Sequence, residues 1–333
     1  MKALATLQPG IRFVVRTSAP HWLFDGTRDV AWTIEPLDTD PGVVQIDSLR
    51  LDEDETARRA AHFYADFDAK AAGEAAVLER LGADAVIGDI PPLAMAAADR
   101  AGVPGIAVGN FTWDWIYSHY PAFDRVAPGA IAAIARGYAH ATCALRLPLH
   151  GGFESVHAVT RDIPFIARRS HRDSAETRRI LGVPGDRPVV LVSFGGYGVD
   201  LPLDRIRDTK RFTLLEPVRD PPAGLSYQDL VAAADVVVSK PGYGIVSECV
   251  ANDTALLYTS RGRFIEYDLF VAQMPRMLRC RYLSQDDLRA GRWADAIDAL
   301  IAQPAPPERP RIDGALVAAH QIVSLVGERR PVA

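Results

Sequence analysis

The sequence is poor in cysteine and has no long apolar run. Its three cysteines, Cys143, Cys249 and Cys280, are far apart, so their spacing predicts neither a disulfide framework nor a zinc site. Such sparse cysteine is typical of a reducing compartment, and we expect a cytoplasmic protein. No apolar stretch reaches membrane-spanning length, and the residues after Met1 predict no signal peptide.

The chain also lacks a strong charge of either sign. Its 333 residues carry a net charge of -5 and are 48% hydrophobic. This mild acidity gives no electrostatic reason to expect nucleic acid or an anionic membrane as a partner. We find no internal repeat and no low-complexity segment. The length and composition instead suit two α/β domains, each able to bury a core.

A strand, a glycine turn, a helix and a second strand are predicted within residues 234–274. Residues 236–238 form a short β-branched apolar run, which is typical of a buried parallel strand. Residues 241–244 interrupt this run, and apolar side chains then recur at helical spacing. A second strand is predicted at 254–258, which completes a βαβ unit.

The turn and helix of this unit carry the residue types of a nucleotide-diphosphate site. Gly242 and Gly244 let the backbone approach a ligand, and the N–H groups at the helix start favour an anion. Glu248, one helical turn further on, can accept two hydrogen bonds from a ribose diol. Arg261 and Arg263 in the next loop offer guanidinium groups to phosphate. The alternative is an ordinary helix start with a surface glutamate and solvated arginines.

A second glycine turn follows an apolar strand predicted at 188–193. Gly195 and Gly196 come directly after Phe194, and their N–H groups can surround a phosphate or a sugar. The alternative is a tight turn without a ligand. Glu266 opens a later helix, where it can reach sugar hydroxyls or act as a first-turn acid that suits the helix dipole.

In the first half of the chain, Asp89 ends a strand predicted at 84–88. Residues at the carboxyl ends of parallel strands face the ligand crevice, so Asp89 is a candidate general base or acceptor ligand. The alternative role, equally supported, is N-cap of the helix that follows Pro91 and Pro92.

Polar and aromatic residues follow the next strand, predicted at 104–108. Aromatic faces stack on sugar C–H groups while polar groups bind hydroxyls, which makes four residues candidate sugar ligands: Asn110, Thr112, Trp113 and Asp114. The alternative is a core aromatic cluster beneath a loop. His119, the nearest histidine, is a candidate catalytic base, although a lone histidine is more often structural or exposed.

Further elements are predicted from the residue pattern. We expect a short strand at 43–46, one long helical region at 52–81, and a charged helix at 168–181 whose first residues form a solvated linker face. The chain opens with a helix at 1–7 and a strand at 11–16, whereas a doubly wound domain begins with a strand and a glycine turn. We therefore expect that a first strand and loop are missing; the alternative is a variant of this fold that starts on a helix.

Five segments resemble a known family: residues 14–18, 88–92, 110–117, 193–196 and 240–268. They span most of the chain and are similar to GT-B glycosyltransferases of the MurG-like type, with a family 28-type carboxy-terminal domain. More closely, they resemble the glycosyltransferase-like amino-terminal domain of L-arabinokinases and its stand-alone bacterial relatives.

This resemblance implies an α/β fold of GT-B type, with two Rossmann-like domains facing a cleft. It implies an acceptor-side domain at 1–163, a nucleotide-sugar donor domain at 164–311, and a carboxy-terminal helix at 312–333 that packs back on the first domain. In the family, the first strand leads into a Gly-His loop that often supplies a catalytic histidine. This chain lacks both, which bears on its catalytic competence.

The predicted reaction is sugar transfer from a nucleotide-diphosphate donor to a hydroxyl acceptor, with no metal and no resident cofactor. A UDP-sugar is the first expectation, and GDP- or dTDP-sugars fit as well. Asp89 or His119 would take the acceptor proton. The rival hypotheses are a non-catalytic sugar or nucleotide-sugar binder with a regulatory role, and an epimerase of the same fold. The oligomeric state is left open.

Overall fold

A computed structural model describes residues 1–27, 29–195, 198–216 and 224–329. The chain divides into two compact units. The first comprises Met1–Val44, Asp52–Pro164 and the residues from Asp313 onward, and the second comprises Gln45–Leu51 and Phe165–Ile312. The short segment Gln45–Leu51 therefore belongs to the second unit although its neighbours in sequence belong to the first.

The strands of the first unit form two parallel sheets. One sheet pairs β1 (Phe13–Arg16) with β2 (Trp32–Glu35). The other has the order β3-β4-β5-β6 and is built from Val86–Gly88, Gly105–Gly109, Cys143–Arg146 and Thr160–Asp162. Parallel neighbours need crossover connections, which helices supply here. The strands predicted at 11–16, 84–88 and 104–108 are confirmed.

Helices surround these sheets in chain order: α1 (Lys2–Leu7), α2 (Glu53–Tyr64), α3 (Phe67–Leu81), α4 (Pro92–Arg100), α5 (Trp113–Ser118), α6 (Ala122–Val126) and α7 (Ala130–Ala139). The helical region predicted at 52–81 is two helices rather than one. Asp66 has a φ of -120°, outside the helical range, and therefore separates α2 from α3.

The strand predicted at 43–46 is wrong. The Asp47 carboxylate accepts hydrogen bonds from the N–H groups of Leu49 and Arg50, at 2.8 and 3.0 Å, and these bonds fold the chain into a turn. An isolated antiparallel bridge joins Gln45 to Leu51 across this turn.

The second unit contains a parallel sheet with the order β11-β10-β9-β7-β8. Its strands are β7 (Val189–Val192), β8 (Thr213–Leu215), β9 (Val236–Ser239), β10 (Ala255–Tyr258) and β11 (Cys280–Tyr282). Every residue of β7, β9 and β10 is buried, as the continuous apolar runs predict. Because β7 and β9 pair in parallel, the loops after them open at the same edge of the sheet.

The helices of the second unit are α8 (Ser174–Ile180), α9 (Leu203–Asp208), α10 (Tyr227–Ala233), α11 (Tyr243–Asn252), α12 (Glu266–Gln273), α13 (Gln285–Ala290) and α14 (Ala294–Ile301). The helix predicted from residue 168 begins only at Ser174. The Asp173 carboxylate accepts a hydrogen bond from the N–H of Glu176 at 3.0 Å and caps α8 there.

The last helix, α15 (Gly314–Arg329), belongs to the first unit and packs against α1. Among the described residues, no helix combines the length and the hydropathy needed to cross a membrane.

Candidate functional site

The loops after β7 and β9 lie side by side in the second unit. The Ser193 N–H donates to the carbonyl of Val238 at 3.0 Å, and the Ser239 hydroxyl donates to the carbonyl of Ser193. Gly195 follows with a φ of 76°, a conformation that glycine adopts without strain. Gly196 lies outside the described residues. The structure thus brings the two predicted glycine turns together.

Helix α11 begins at Tyr243, so Gly242 is its N-cap and Gly244 lies within its first turn. A Cβ on Gly242 would come 3.8 Å from Nη1 of Arg261, and a Cβ on Gly244 would meet no described atom within 4 Å. The first turn of α11 therefore borders open space, with a guanidinium group beside it. This arrangement suits an anion at the positive end of the helix.

Two cations meet beside this turn. The pKa of Lys240 is lowered to about 8, chiefly by burial and also by the nearby Arg261, while Glu266 opposes the shift. The guanidinium carbon of Arg261 lies 3.5 Å from the ring centroid of Phe264. Arg263, two residues further along the same loop, is exposed. Sequence reasoning missed Lys240 as a candidate ligand, although its place between a strand and a glycine turn is a usable signal.

Glu248 is ion-paired rather than exposed at a helix surface. The residue is 5% exposed, and its Oε1 accepts a hydrogen bond from Nε of Arg168 at 2.6 Å and lies 2.5 Å from Nη2 of the same side chain. Burial raises the pKa of Glu248, and Arg168 opposes that shift. The guanidinium of Arg168 also lies 5.4 Å from the ring centroid of Tyr227. The Arg168 side chain is 62% exposed, as predicted for a solvated face, and it also contacts Glu248 in this site.

In the first unit, Asp89 ends β3 and precedes a strained residue. Ile90 has a φ of 65°, which is unusual for a β-branched side chain and is typical of functional sites when the surroundings enforce it. The Tyr138 hydroxyl donates to the Ile90 carbonyl at 2.5 Å and accepts from the N–H of Trp113 at 3.2 Å. The N-cap of α4 is Pro91, so the alternative role of Asp89 as that N-cap is wrong.

Asp89 has a carboxyl neighbour that sequence reasoning missed. The pKa of Asp40 is raised to about 6, chiefly by burial and also by the nearby Asp89, while a hydrogen bond from the Gly42 N–H at 3.0 Å opposes the shift. Solvent reaches Asp89, yet the protein atoms around its carboxyl raise its pKa by desolvation. Asp40 lies in a loop of ordinary turn residues, so the sequence around it does not predict its burial.

Two of the predicted sugar-binding residues, Trp113 and Asp114, lie among aromatic and polar side chains of the first unit. The Trp113 ring stacks on Tyr117 with centroids 5.3 Å apart, and the Tyr117 hydroxyl donates to the Gly42 carbonyl at 2.8 Å. Oδ2 of Asp114 accepts from the Ser155 hydroxyl at 2.8 Å. Oδ1 of Asp114 and Oη of Tyr64 are buried without a hydrogen-bond partner among the described residues, whereas the Trp113 side chain donates to the carboxyl of Asp40. Such atoms are uncommon in protein interiors and mark a place where a polar ligand or water would be stabilised.

Two other predicted sugar ligands are buried among protein groups. Thr112 is fully buried, and its hydroxyl accepts a hydrogen bond from the Phe153 N–H at 3.3 Å. Asn110 is 5% exposed, and its carbonyl accepts from the Gly151 N–H at 2.9 Å. Both contacts hold the 151–153 loop in place.

His119 is the C-cap of α5 and is exposed. Its Nδ1 lies 2.8 Å from the carbonyl oxygen of Trp115. When Nδ1 carries the proton and donates there, Nε2 is left as an acceptor. The contact is that of a helix cap, and a catalytic role for His119 stays a prediction.

Comparison with known proteins supports the fold. No family model matches the chain. The chain is 28% identical over 327 residues to the L-arabinokinase of Arabidopsis thaliana, an alignment that covers 92% of this chain and 31% of that protein. The chain thus spans about a third of the length of this relative.

Three solved structures extend the likeness over nearly the whole chain. The calicheamicin glycosyltransferase CalG4 has a TM-score of 0.58 at 16% identity, covering 96% of this chain and 99% of its own. The kitacinnamycin glycotransferase has a TM-score of 0.57 at 17% identity, covering 96% and 100%. UGT89C1 of Arabidopsis thaliana, complexed with UDP-L-rhamnose, has a TM-score of 0.52 at 16% identity, covering 98% and 91%. The fold is that of GT-B glycosyltransferases.

Proposed function

We propose that the protein transfers a sugar from a nucleotide-diphosphate donor to a hydroxyl acceptor. The observation that carries this proposal is the pair of cations, Lys240 and Arg261, beside the open first turn of α11. Two neighbouring cations repel one another, and an anion between them removes that cost. The fold and the UDP-L-rhamnose complex of UGT89C1 support a nucleotide sugar as that anion, with UDP as the first nucleotide to test.

The chemistry assigns a separate task to each unit. The second unit would hold the diphosphate, with Lys240, Arg261 and the α11 N–H groups stabilising the charge that develops as the C1–O bond to phosphate breaks. These groups supply positive charge without a metal. The first unit would bind the acceptor, whose hydroxyl oxygen attacks C1 while its proton passes to the carboxylate of Asp89 or Asp40. The products are a glycoside, a nucleoside diphosphate and a proton.

The predicted ribose role of Glu248 needs adjustment within this proposal. Its Oε1 is already hydrogen-bonded and ion-paired to Arg168, so a ribose would have to use Oε2 or share Arg168. We propose that Glu248 primarily holds the Arg168 guanidinium in position.

The first test is nucleotide binding, measured by calorimetry with UDP, GDP, ADP and dTDP and with the nucleosides as controls. Removing one charged contact costs about 2 kcal/mol, so Lys240→Met should weaken binding of the preferred diphosphate about 30-fold. Lys210→Met, the same change at an exposed lysine of the second unit, should leave the Kd within twofold of wild type. Binding should persist in a chelator.

Two outcomes separate this proposal from its rivals. A wild-type protein that is folded but binds no nucleoside diphosphate contradicts the donor site. Binding of a UDP-sugar without release of UDP, with any hydroxyl acceptor or with water, favours a nucleotide-sugar binding protein without transfer activity.

A further inference from the structure

The segment Gln45–Leu51 of the second unit is a compact turn. The Ile46 N–H donates to the Arg50 carbonyl at 3.0 Å, and Nε of Arg50 donates to Oδ2 of Asp47 at 2.7 Å. Asp47 also accepts hydrogen bonds from two backbone N–H groups. Together these bonds fix the conformation of the tip, which consists of Ser48 and Leu49. The tip is therefore a preformed element rather than a loose connection.

The tip is anchored beside the loop that follows β7. Ser48 is completely buried, and its hydroxyl donates to the carbonyl of Phe194 at 2.7 Å. Leu49 is 1% exposed and packs in the core of the second unit with Val192 and Phe194. Phe194 directly precedes Gly195, so both contacts act on the start of this glycine turn.

The same tip also touches the loop that follows β10. The carbonyl oxygen of Leu49 lies 3.0 Å from the position that a Cβ on Gly262 would occupy. Gly262 has a φ of 61° and is flanked by Arg261 and Arg263. A close approach and a left-handed backbone both require glycine here. The basic loop thus rests directly on the backbone of Leu49.

A cavity of about 430 Å³ adjoins the tip, and its lining includes Asp47, Leu49 and Arg50 on one side and Gly198 to Asp200 on the other. The tip therefore contributes to the wall of this cavity. This size falls within the range of small-molecule sites, about 300 to 1,000 Å³.

We propose that Ser48 and Leu49 are positioning residues of the donor site, which set the separation between the loops after β7 and β10. This inference rests on the proposed function, because these loops carry Gly195 and Arg261. Neither loop is part of a strand, and each contacts the tip. Without these contacts a ligand must order both loops when it binds, which weakens its affinity.

The test compares two leucine truncations in the same core. Leu49→Ala removes the anchor at the loops, whereas Leu300→Ala makes the same chemical change in α14, and both leucines are buried in one cluster. Each variant should lose stability, because each truncation removes buried apolar contacts and leaves a cavity. At a temperature where both are fully folded, Leu49→Ala should bind UDP about tenfold more weakly, and Leu300→Ala within twofold of wild type.

Hydrogen exchange makes the test independent of any ligand. Peptides covering residues 193–195 and 260–263 should exchange at least fivefold faster in Leu49→Ala than in Leu300→Ala, with both loops affected together. Ser48→Ala, which removes only a hydroxyl, should produce the same pattern more weakly, and Leu49→Met should restore protection because it refills the site.

Equal exchange of these peptides in the two truncation variants overturns the inference, whatever the protein binds. If exchange rises in both loops but wild-type protein binds no nucleoside diphosphate, the positioning contact stands and the proposed donor site fails. If UDP binds to wild type and to Leu49→Ala with the same Kd, the donor site stands and the positioning role fails.

Discussion

In the first unit Asp40 and Asp89 place two carboxyl groups near one another, whereas in the second unit Lys240 and Arg261 do the same with two cations. Each site therefore holds like charges in partial burial, which costs free energy in the absence of a ligand. The pKa of Asp40 rises to about 6 and that of Lys240 falls to about 8, so both groups move toward neutrality.

The ligands that would relieve the two sites differ. An anion placed between Lys240 and Arg261 stabilises both charges at once. A carboxylate with a raised pKa is instead relieved by a proton, which a reacting hydroxyl supplies. The Trp113 ring, stacked on Tyr117, and the unpartnered Oδ1 of Asp114 are groups suited to an uncharged hydroxyl compound. The contrast supports the proposal that the phosphate binds to one unit and that the proton acceptor lies in the other.

The largest effect is expected from Asp40→Asn. In the native state Asp40 has a pKa of about 6, against an ordinary value of 3.8, so the native state binds its proton more tightly than the unfolded chain. Its carboxylate therefore destabilises the protein above pH 6, and this cost shrinks as the pH falls from 6 toward 4. Asp40→Asn should raise the free energy of unfolding by about 2 kcal/mol at pH 7.5 and by less than half that at pH 4.5.

Denaturant titration at the two pH values measures this difference. Asp38→Asn, an exposed carboxyl on the same loop, should shift neither midpoint. A loss of stability in Asp40→Asn at pH 7.5 would mean that the Asp40 carboxylate does not destabilise the native state. The contrast between the two sites would then fail.

Some of this contrast was predictable from the sequence. The runs of Val189–Val192 and Val236–Ser239 require buried parallel strands, and the glycines after them mark the loops at the carboxyl edge. Because the β7 and β9 loops follow adjacent parallel strands, the edge that carries Gly195 and Gly242 follows from pattern and topology. The α/β class and the GT-B likeness depend on local sequence patterns, so both could be predicted from a single sequence.

The remainder depends on contacts between distant residues. Arg168 reaches Glu248 across 80 positions, and Ser48 reaches Phe194 across 146. Asp40 occupies a turn of common residue types, and its burial arises only from what packs around it. Periodicity and spacing indicate local geometry only. Contacts that arise from tertiary packing between distant residues therefore cannot be predicted from them.

A smaller effect is expected when nucleotide binding is followed against pH. With a pKa of about 8 in the free protein, Lys240 is charged at pH 7 and mostly neutral at pH 9. If the complex requires the charged form, the affinity for UDP should fall about tenfold between pH 7 and pH 9. Calorimetry at three pH values in that range measures the slope.

Lys240→Arg is the matched control, because arginine stays charged throughout this range. Its Kd should change less than threefold over the same pH range, and any change left reports titration of the ligand or of other groups. If wild type and Lys240→Arg show the same slope, Lys240 does not contact the anion, and the positive site depends on Arg261 and the helix alone.

The smallest effect is expected from Gly244→Ala, which separates folding from binding. Residue 244 lies in the first turn of α11 with open space around it, so alanine should stabilise the helix by up to about 1 kcal/mol. Gly73→Ala, an exposed position inside α3 where a Cβ also meets no described atom, should give a similar gain.

If a diphosphate lies against the α11 backbone, the Gly244→Ala methyl group should weaken UDP binding about threefold while Gly73→Ala leaves it unchanged. For each variant, thermal unfolding measures the gain in stability and calorimetry measures the change in UDP affinity. Unaltered UDP affinity in Gly244→Ala would mean that the phosphate is held by the lysine and arginine side chains without the helix, and the second unit would then resemble the first in acting through side chains alone.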